Sequence, residues 1–234
     1  MRLLVILLLW TSIASGQMII NSYAYETTST LSNGLQARLD FDGNTTDAQG
    51  NTVTQPEGTA ITFVGSLNGQ AGVFGGDDAL EFTDADLETL SWSCSVIYER
   101  DGTGFQIVSE LSRQVSGNHS GINIYSSGET YITIDDNNKI GPTIAANDWV
   151  HAIATYDHTT GAYTLYLDDA TVASISGTQS TNNLTGDGIV YIGGRPDNSS
   201  EFLTGSIDMV AWWNRALTAS EIAEEFANYN STND

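Results

Sequence analysis

The stretch Leu90-Ser91-Trp92-Ser93-Cys94-Ser95-Val96-Ile97-Tyr98 decides the fold of this chain. Leu90, Trp92, Cys94, Val96 and Tyr98 fall on every second position, with Ser91, Ser93 and Ser95 between them. Successive side chains of a strand point to opposite faces, so this period of two predicts a half-buried strand with one apolar face and one serine face. Cys94 lies on the apolar face, which makes it a small core residue rather than a nucleophile.

Outward from this strand, similar runs recur between clusters of turn residues, at 105–111, 121–125, 149–156, 189–192 and 202–213. Two hairpins follow from turn chemistry. Tyr131-Ile132-Thr133-Ile134 leads through Asp135-Asp136-Asn137-Asn138 to Lys139-Ile140, and Tyr163-Thr164-Leu165-Tyr166-Leu167 leads through Asp168-Asp169 to Ala170-Thr171-Val172-Ala173. Asn and Asp tolerate the positive φ that such turns require. The strand count reaches about a dozen, enough to close a two-sheet sandwich. One short C-terminal helix is expected, because Thr218-Ala219-Ser220-Glu221 is a capping box, with Leu217 and Ile222 placed as its hydrophobic staple and Ile222 and Phe226 four apart on one face.

Composition agrees. A chain of 234 residues with 40% hydrophobic content can bury one sizeable core, and no strong break after residue 34 divides it. Glycine is abundant (23) and proline scarce (3), so Gly, Asn and Asp must make the turns. The formal charge of −22, with Lys139 the single lysine, disfavours nucleic acid and insertion into or binding on anionic membranes. The acidity reads either as a solvated surface or as calcium binding. With Cys94 alone, no intrachain disulfide forms. Residues 1–16 read as an export signal: Arg2 precedes an apolar run at 3–10, and Ala14-Ser15-Gly16 offers small residues for cleavage. Eight apolar residues are too few to span a bilayer. The other reading starts translation at Met18. Residues 17–34 form a polar leader, 35–229 the domain and 230–234 a tail.

Several segments together resemble the laminin-G-like, concanavalin A-like jelly roll. These are Leu39-Asp40-Phe41-Asp42-Gly43-Asn44 with Asp47; Gly72-Val73-Phe74-Gly75-Gly76 followed by Leu80-Glu81-Phe82; Trp149-Val150-His151 leading to Thr164-Leu165-Tyr166-Leu167-Asp168; and Gly205-Ser206-Ile207-Asp208 running through Trp212-Trp213-Asn214-Arg215 to Glu221-Ile222. The order of the motifs, more than any one of them, makes the set specific. Asp169 stands where the family has a turn glycine, and Met209 where it has a second acidic residue. The resemblance implies an all-β, two-sheet antiparallel sandwich outside the cell, and a structural calcium.

Asp42, Asn44 and Asp47 in one glycine-containing turn place oxygen ligands at the alternate spacing that hard cations favour, and Asp208 is the candidate to complete that calcium shell. The competing reading is a turn braced by its own Asx hydrogen bonds. Ligand-binding candidates lie on loops, where sandwich folds gather them: Arg113, Asn118 and His119 in one segment, Arg195, Asp197 and Asn198 in another. Trp212 and Trp213 suggest sugar stacking, but the resemblance places at least one in the core. His151 reads as a packed or hydrogen-bonded histidine. Asn44, Asn118, Asn183, Asn198 and Asn230 begin N-x-[ST] sequons.

A retaining glycosidase needs two carboxylates about 5 Å apart, most directly from alternate positions of one strand, and no such run exists. Ser109-Glu110-Leu111-Ser112-Arg113 lacks the first arginine of the strand motif of alginate-lyase-like enzymes. No hydrolase elbow or metalloprotease helix is present. The expectation is a non-catalytic extracellular module that binds a glycan or a glycosylated protein, braced by calcium. Two alternatives stand beside it. One is a decoration or adhesion protein on a virion or cell surface, because the Met18 start resembles that of some phage virion proteins; the other is a polysaccharide-cleaving enzyme.

Overall fold

The computed structural model describes residues 29–66, 69–88, 91–113, 118–168, 173–179, 188–196 and 201–230. The export signal, Met18, Asp169, Asn183, Asp197 and Asn198 lie outside the described residues, as do the side chains of Arg113, Asn118 and Asn230. The strands before the midpoint are β1 (Leu35–Leu39), β2 (Thr54–Glu57), β3 (Thr62–Gly65), β4 (Gln70–Gly75), β5 (Ala79–Thr83), β6 (Trp92–Arg100) and β7 (Gln106–Arg113). They are followed by β8 (Asn118–Ile124), β9 (Glu129–Ile134), β10 (Asn137–Thr143), β11 (Val150–Asp157) and β12 (Ala162–Leu167). The last elements are β13 (Ile175–Thr178), β14 (Ile189–Ile192), β15 (Thr204–Trp213) and the helix α1 (Ala219–Asn230).

The strands form two antiparallel sheets, packed as the expected jelly-roll sandwich. The order β13-β12-β11-β6-β15-β4-β3, with β1 also on β15, makes an eight-stranded sheet; β10-β9-β8-β7-β14-β5-β2 makes a seven-stranded one. Between them lies one core that includes Trp92, Cys94, Val96 and Tyr98 from β6, Val108 and Leu111 from β7, Ile122 and Ile124 from β8, and Trp212 from β15. The alternation read in β6 therefore holds for its apolar face.

Its serine face does not meet water. Ser93 and Ser95 are fully buried, because α1 and residues 29–34 cover the outer side of the eight-stranded sheet. There Ile97, Met209, Ala211 and Trp213 pack against Leu31, Leu217, Ile222 and Phe226. Each buried hydroxyl has partners, as burial demands: Ser95 Oγ lies 2.8 Å from His151 Nε2, while Ser93 Oγ donates to Arg215 O and accepts from Leu217 N, both at 2.9 Å. His151 is thus the bonded core histidine expected of it. Leu31, in the stretch read as leader, is buried, and its carbonyl accepts from Trp213 Nε1 at 2.7 Å.

The capping box forms as read, with Thr218 N donating to Glu221 Oε2 at 2.8 Å and Glu221 N to Thr218 Oγ1 at 3.4 Å. The β9–β10 turn is shorter than the four residues expected. Asp135 and Asp136 (φ 52° and 58°) are its two central residues, and Asn137 already pairs with Ile134. Both central φ values positive is the twist that fits a two-residue hairpin. Of the second hairpin, residues 169–172 lie outside the described residues; past them β13 pairs with β12, Ile175 against Leu165.

Candidate functional site

On β7, Leu111 points into the core and its neighbour Glu110 to the opposite face of the seven-stranded sheet. That outer face carries a cavity of about 260 Å³. Glu110 lies at its floor, opposite Gly121 of β8, which in turn pairs with Thr133 of β9. Asn123 enters from β8, Thr133 from β9, Asn138 from β10, Asp136 from the turn between the last two, and Phe105 from just ahead of β7. Arg195 and Glu201 close the remaining side from the segments after β14 and before β15. Gly193, at φ 77°, makes the turn that lifts the chain toward the cavity, and a Cβ there would lie 2.1 Å from the Phe74 ring.

Charges are interlocked. Arg195 Nη1 donates to Glu110 Oε1 at 3.0 Å, and its Nη2 lies 3.4 Å from Glu201 Oε2. His119 Nδ1 sits 2.9 Å from the same Glu110 oxygen, without the alignment of a hydrogen bond. The polar floor is also chained: Asn123 Nδ2 donates to Thr133 Oγ1 at 3.0 Å, and that hydroxyl donates to Asn138 Oδ1 at 3.1 Å. Asn123 Oδ1 is buried and accepts no hydrogen bond from the described residues. Beside the cavity, Phe105 and Tyr125 pack on Tyr131 with ring centroids 5.4 and 5.9 Å away. Tyr125 (40% exposed) and Ile140 (54%) continue this apolar surface outward. Burial, and then the charges of Glu110 and Glu201, push the Tyr131 hydroxyl well above its ordinary range, so it stays a neutral donor.

Of the six ligand candidates read from loops, His119 and Arg195 come together here, joined through Glu110. Arg113 and Asn118 pair with each other across β7 and β8 by their backbones. Phe105, Asn123, Thr133, Asp136, Asn138 and Glu201 were not read as site residues and Glu110 was weighed only as part of an incomplete lyase motif, because the ligand search went to loops while these sit mostly on strands. The available signal was polar residues inside apolar runs, such as Asn123 between Ile122 and Ile124. Three carboxylates, Glu110, Asp136 and Glu201, also line one cavity although no strand carries a pair.

The four candidate metal ligands do not form one shell. Asp47 is buried, with Oδ1 accepting from Arg38 N at 2.6 Å and Oδ2 from Asn51 N at 2.8 Å and Asn51 Nδ2 at 2.9 Å. Asn44 Oδ1 accepts from Thr46 N at 2.8 Å, and Asp42 Oδ1 from Gln70 N at 2.9 Å. The Asn44 bond is that of an Asx turn, whereas Asp42 and Asp47 also tie the turn to Gln70 of β4 and Arg38 of β1. Asp42 and Asp208 do share a hollow with Arg38, Asp40 and Tyr229, on the other sheet, but Asn44 and Asp47 do not line it. Among the described residues no three His, Cys, Asp or Glu side chains are grouped to hold a metal ion. Neither tryptophan is offered to a sugar, since Trp212 (0% exposed) and Trp213 (1%) fill opposite sides of the same sheet.

Comparison with known proteins places this geometry. A sialidase from Trypanosoma rangeli, solved in complex with sialic acid, matches with a TM-score of 0.63 and 14% identity over 85% of this chain and 33% of its own. This chain thus spans about a third of the sialidase. Domain 4 of AbnA, an extracellular arabinanase from Geobacillus stearothermophilus, in complex with arabinotriose, matches with a TM-score of 0.63 and 20% identity over 81% of this chain and 97% of its own. At these identities the likeness shows the fold alone. No curated protein sequence matches the chain. A family model described as the concanavalin A-like lectin/glucanases superfamily (Laminin_G_3) matches residues 74–223, from the end of β4 into α1, and the chain belongs to that family.

Proposed function

We propose that this protein is a non-catalytic carbohydrate-binding module that takes its glycan on the outer face of the seven-stranded sheet, outside the cell. The observation that carries this reading is the convergence of buried polar groups, Glu110 and Asn123 foremost, beside the Phe105–Tyr125–Tyr131 platform. A sugar presents hydroxyls on its edge and an apolar C–H face, and a cavity with a few fixed acceptors beside aromatic rings matches both. The match to a whole arabinanase domain solved with arabinotriose supports it. Catalysis is not part of the proposal, since no strand carries a pair of carboxylates at alternate positions.

A glycan array probed with the full chain, with and without chelator, tests the reading. Binding to at least one glycan is expected, and replacing the exposed Tyr125→Ala should weaken it about tenfold, or 1.4 kcal/mol. No binding to any glycan removes the proposal. Binding that persists unchanged in chelator removes only calcium bracing. Reducing-end assays on the bound glycan should stay at background; release of products would make the module an enzyme. Among the described residues no helix is long and apolar enough to cross a membrane. Export rests on residues 1–16, and N-terminal sequencing of native material should show cleavage after Gly16.

A further inference from the structure

The outer face of β8 is a row of alternate residues, His119, Gly121, Asn123 and, just past the strand, Tyr125, since Ile122 and Ile124 between them face the core. The cavity runs along this row, and its two ends differ. The end beside the β9–β10 turn is closed. There Asp136 N donates to His119 O at 3.1 Å, His119 N donates to Asp136 Oδ1 at 3.0 Å, and both side chains line the cavity. The side toward β14 is closed by Arg195, held to Glu110 at 3.0 Å and to Glu201 at 3.4 Å. The other end opens past Phe105 to the exposed Tyr125, the two ring centroids lying 6.3 Å apart.

Asn123 stands inside this recess. Its side chain is 1% exposed, its Nδ2 donates to Thr133, and its Oδ1 accepts no hydrogen bond from the described residues. A buried acceptor left unpaired is costly, so a ligand hydroxyl that enters deeply enough to donate to Oδ1 gains more than one held at the rim. A residue in the middle of a glycan chain has a neighbour on each side. Along β8, one neighbour would have to pass through Asp136 and His119; across the strands, one would have to pass through Arg195. A terminal residue has a single neighbour, which can leave by the open end and stack on Tyr125. The volume of about 260 Å³ lies below the roughly 300–1,000 Å³ of cavities that hold drug-sized molecules, which leaves room for one ring.

We infer that this cavity takes the terminal residue of a glycan chain, that the rest of the chain leaves over Tyr125, and that residues internal to a chain are excluded. The inference rests on the glycan-binding reading of the same face and deepens it.

Calorimetric titration of the full chain with length series of arabino-, xylo-, manno- and cello-oligosaccharides, from two residues to six, tests it. Within any series that binds, affinity should change by less than about threefold from the shortest member to the longest, because each places one residue in the cavity and one on Tyr125. Tyr125→Ala should weaken every member of that series by the same factor, about tenfold. Linear polymers of the same sugar should saturate at about one protein per chain, whatever their length. Opening the reducing-end ring with borohydride tells the two chain ends apart: loss of binding assigns the reducing end to the cavity, and retention assigns the other. A rise of more than about threefold with length, or several proteins bound along one linear chain, overturns the inference and leaves the glycan reading standing. If no series binds, the glycan reading of the face falls and this inference falls with it.

Discussion

Single residues decide how the helix is tied down and how the molecule answers to pH. Arg215 Nη1 and Nη2 each donate to a Glu221 oxygen at 2.8 Å, while its Nε and Nη2 also reach Asn33 O and Thr30 O. One guanidinium thus joins the helix start to the segment ahead of β1. Replacing it, Arg215→Ala, should cost about 1–2 kcal/mol, since it strips partners from a capping residue. A drop of several degrees in the thermal midpoint would show this, at about 2–4 °C per kcal/mol for a chain of this size. The Arg215 guanidinium holds the Glu221 carboxyl down to about 2, with the Thr218 and Thr30 bonds helping. The folded state therefore favours the charged form, and this stability, full above the ordinary carboxylate pKa of 4.5, is lost as pH falls toward 2. Burial, aided by the Arg38 charge, pulls His151 down from 6.5 to about 3. The unfolded chain takes up that proton first, so stability falls as pH drops from 6.5 toward 3. Buried Glu225, whose carboxyl is pushed up, works in the opposite sense above its ordinary value. Thermal midpoints measured between pH 7 and pH 3 should decline, and His151→Gln should flatten the decline; an unchanged slope in that variant would refute the assignment.

Elements differ in how plainly they announce themselves. β6 alternates in sequence, while β14 (Ile-Val-Tyr-Ile) and the second half of β15 (Met-Val-Ala-Trp-Trp) stand out as unbroken apolar runs, and all three have a strand on either side. β2 (Thr-Gln-Pro-Glu) and β13 (Ile-Ser-Gly-Thr) lie at sheet edges and are mostly exposed, so they carry little apolar signal, and Pro56 is tolerated because an edge strand need not donate on its open side. At the junction of β7 and β8, Gly121 is required by close approach. A Cβ there would lie 2.3 Å from Ser109 O and 2.7 Å from Glu110 Cα. Gly121→Ala should push β7 away from β8, at a cost of about 1–3 kcal/mol, and displace Glu110 from Arg195. Glycan affinity should fall more than it does in equally destabilised variants of the opposite sheet. Equal losses would mean that Gly121 matters for packing alone.

The whole molecule is a sandwich thickened on one side by a helix and the segment leading into β1. Starting the chain at Leu35 would expose Trp213, remove the acceptor of its indole and strip two of the Arg215 contacts. The truncated protein should unfold several degrees lower than the full chain, and a midpoint unchanged by truncation would show that residues 29–34 are only a leader. Sequence alone determined the two-sheet architecture, the apolar face of β6 and the capped helix, because alternation, turn residues and capping boxes act between neighbours in the chain. Tertiary structure alone decided that Ser93 and Ser95 are buried, that Asp42 and Asp47 accept from the amides of Gln70 and Arg38, and that a polar cavity exists at all. Glu110 and Arg195 are 85 residues apart, and nothing local to either reports that β14 will lie beside β7. The strand pairing that joins them follows from the burial of the whole core, so the site is a property of register rather than of any motif.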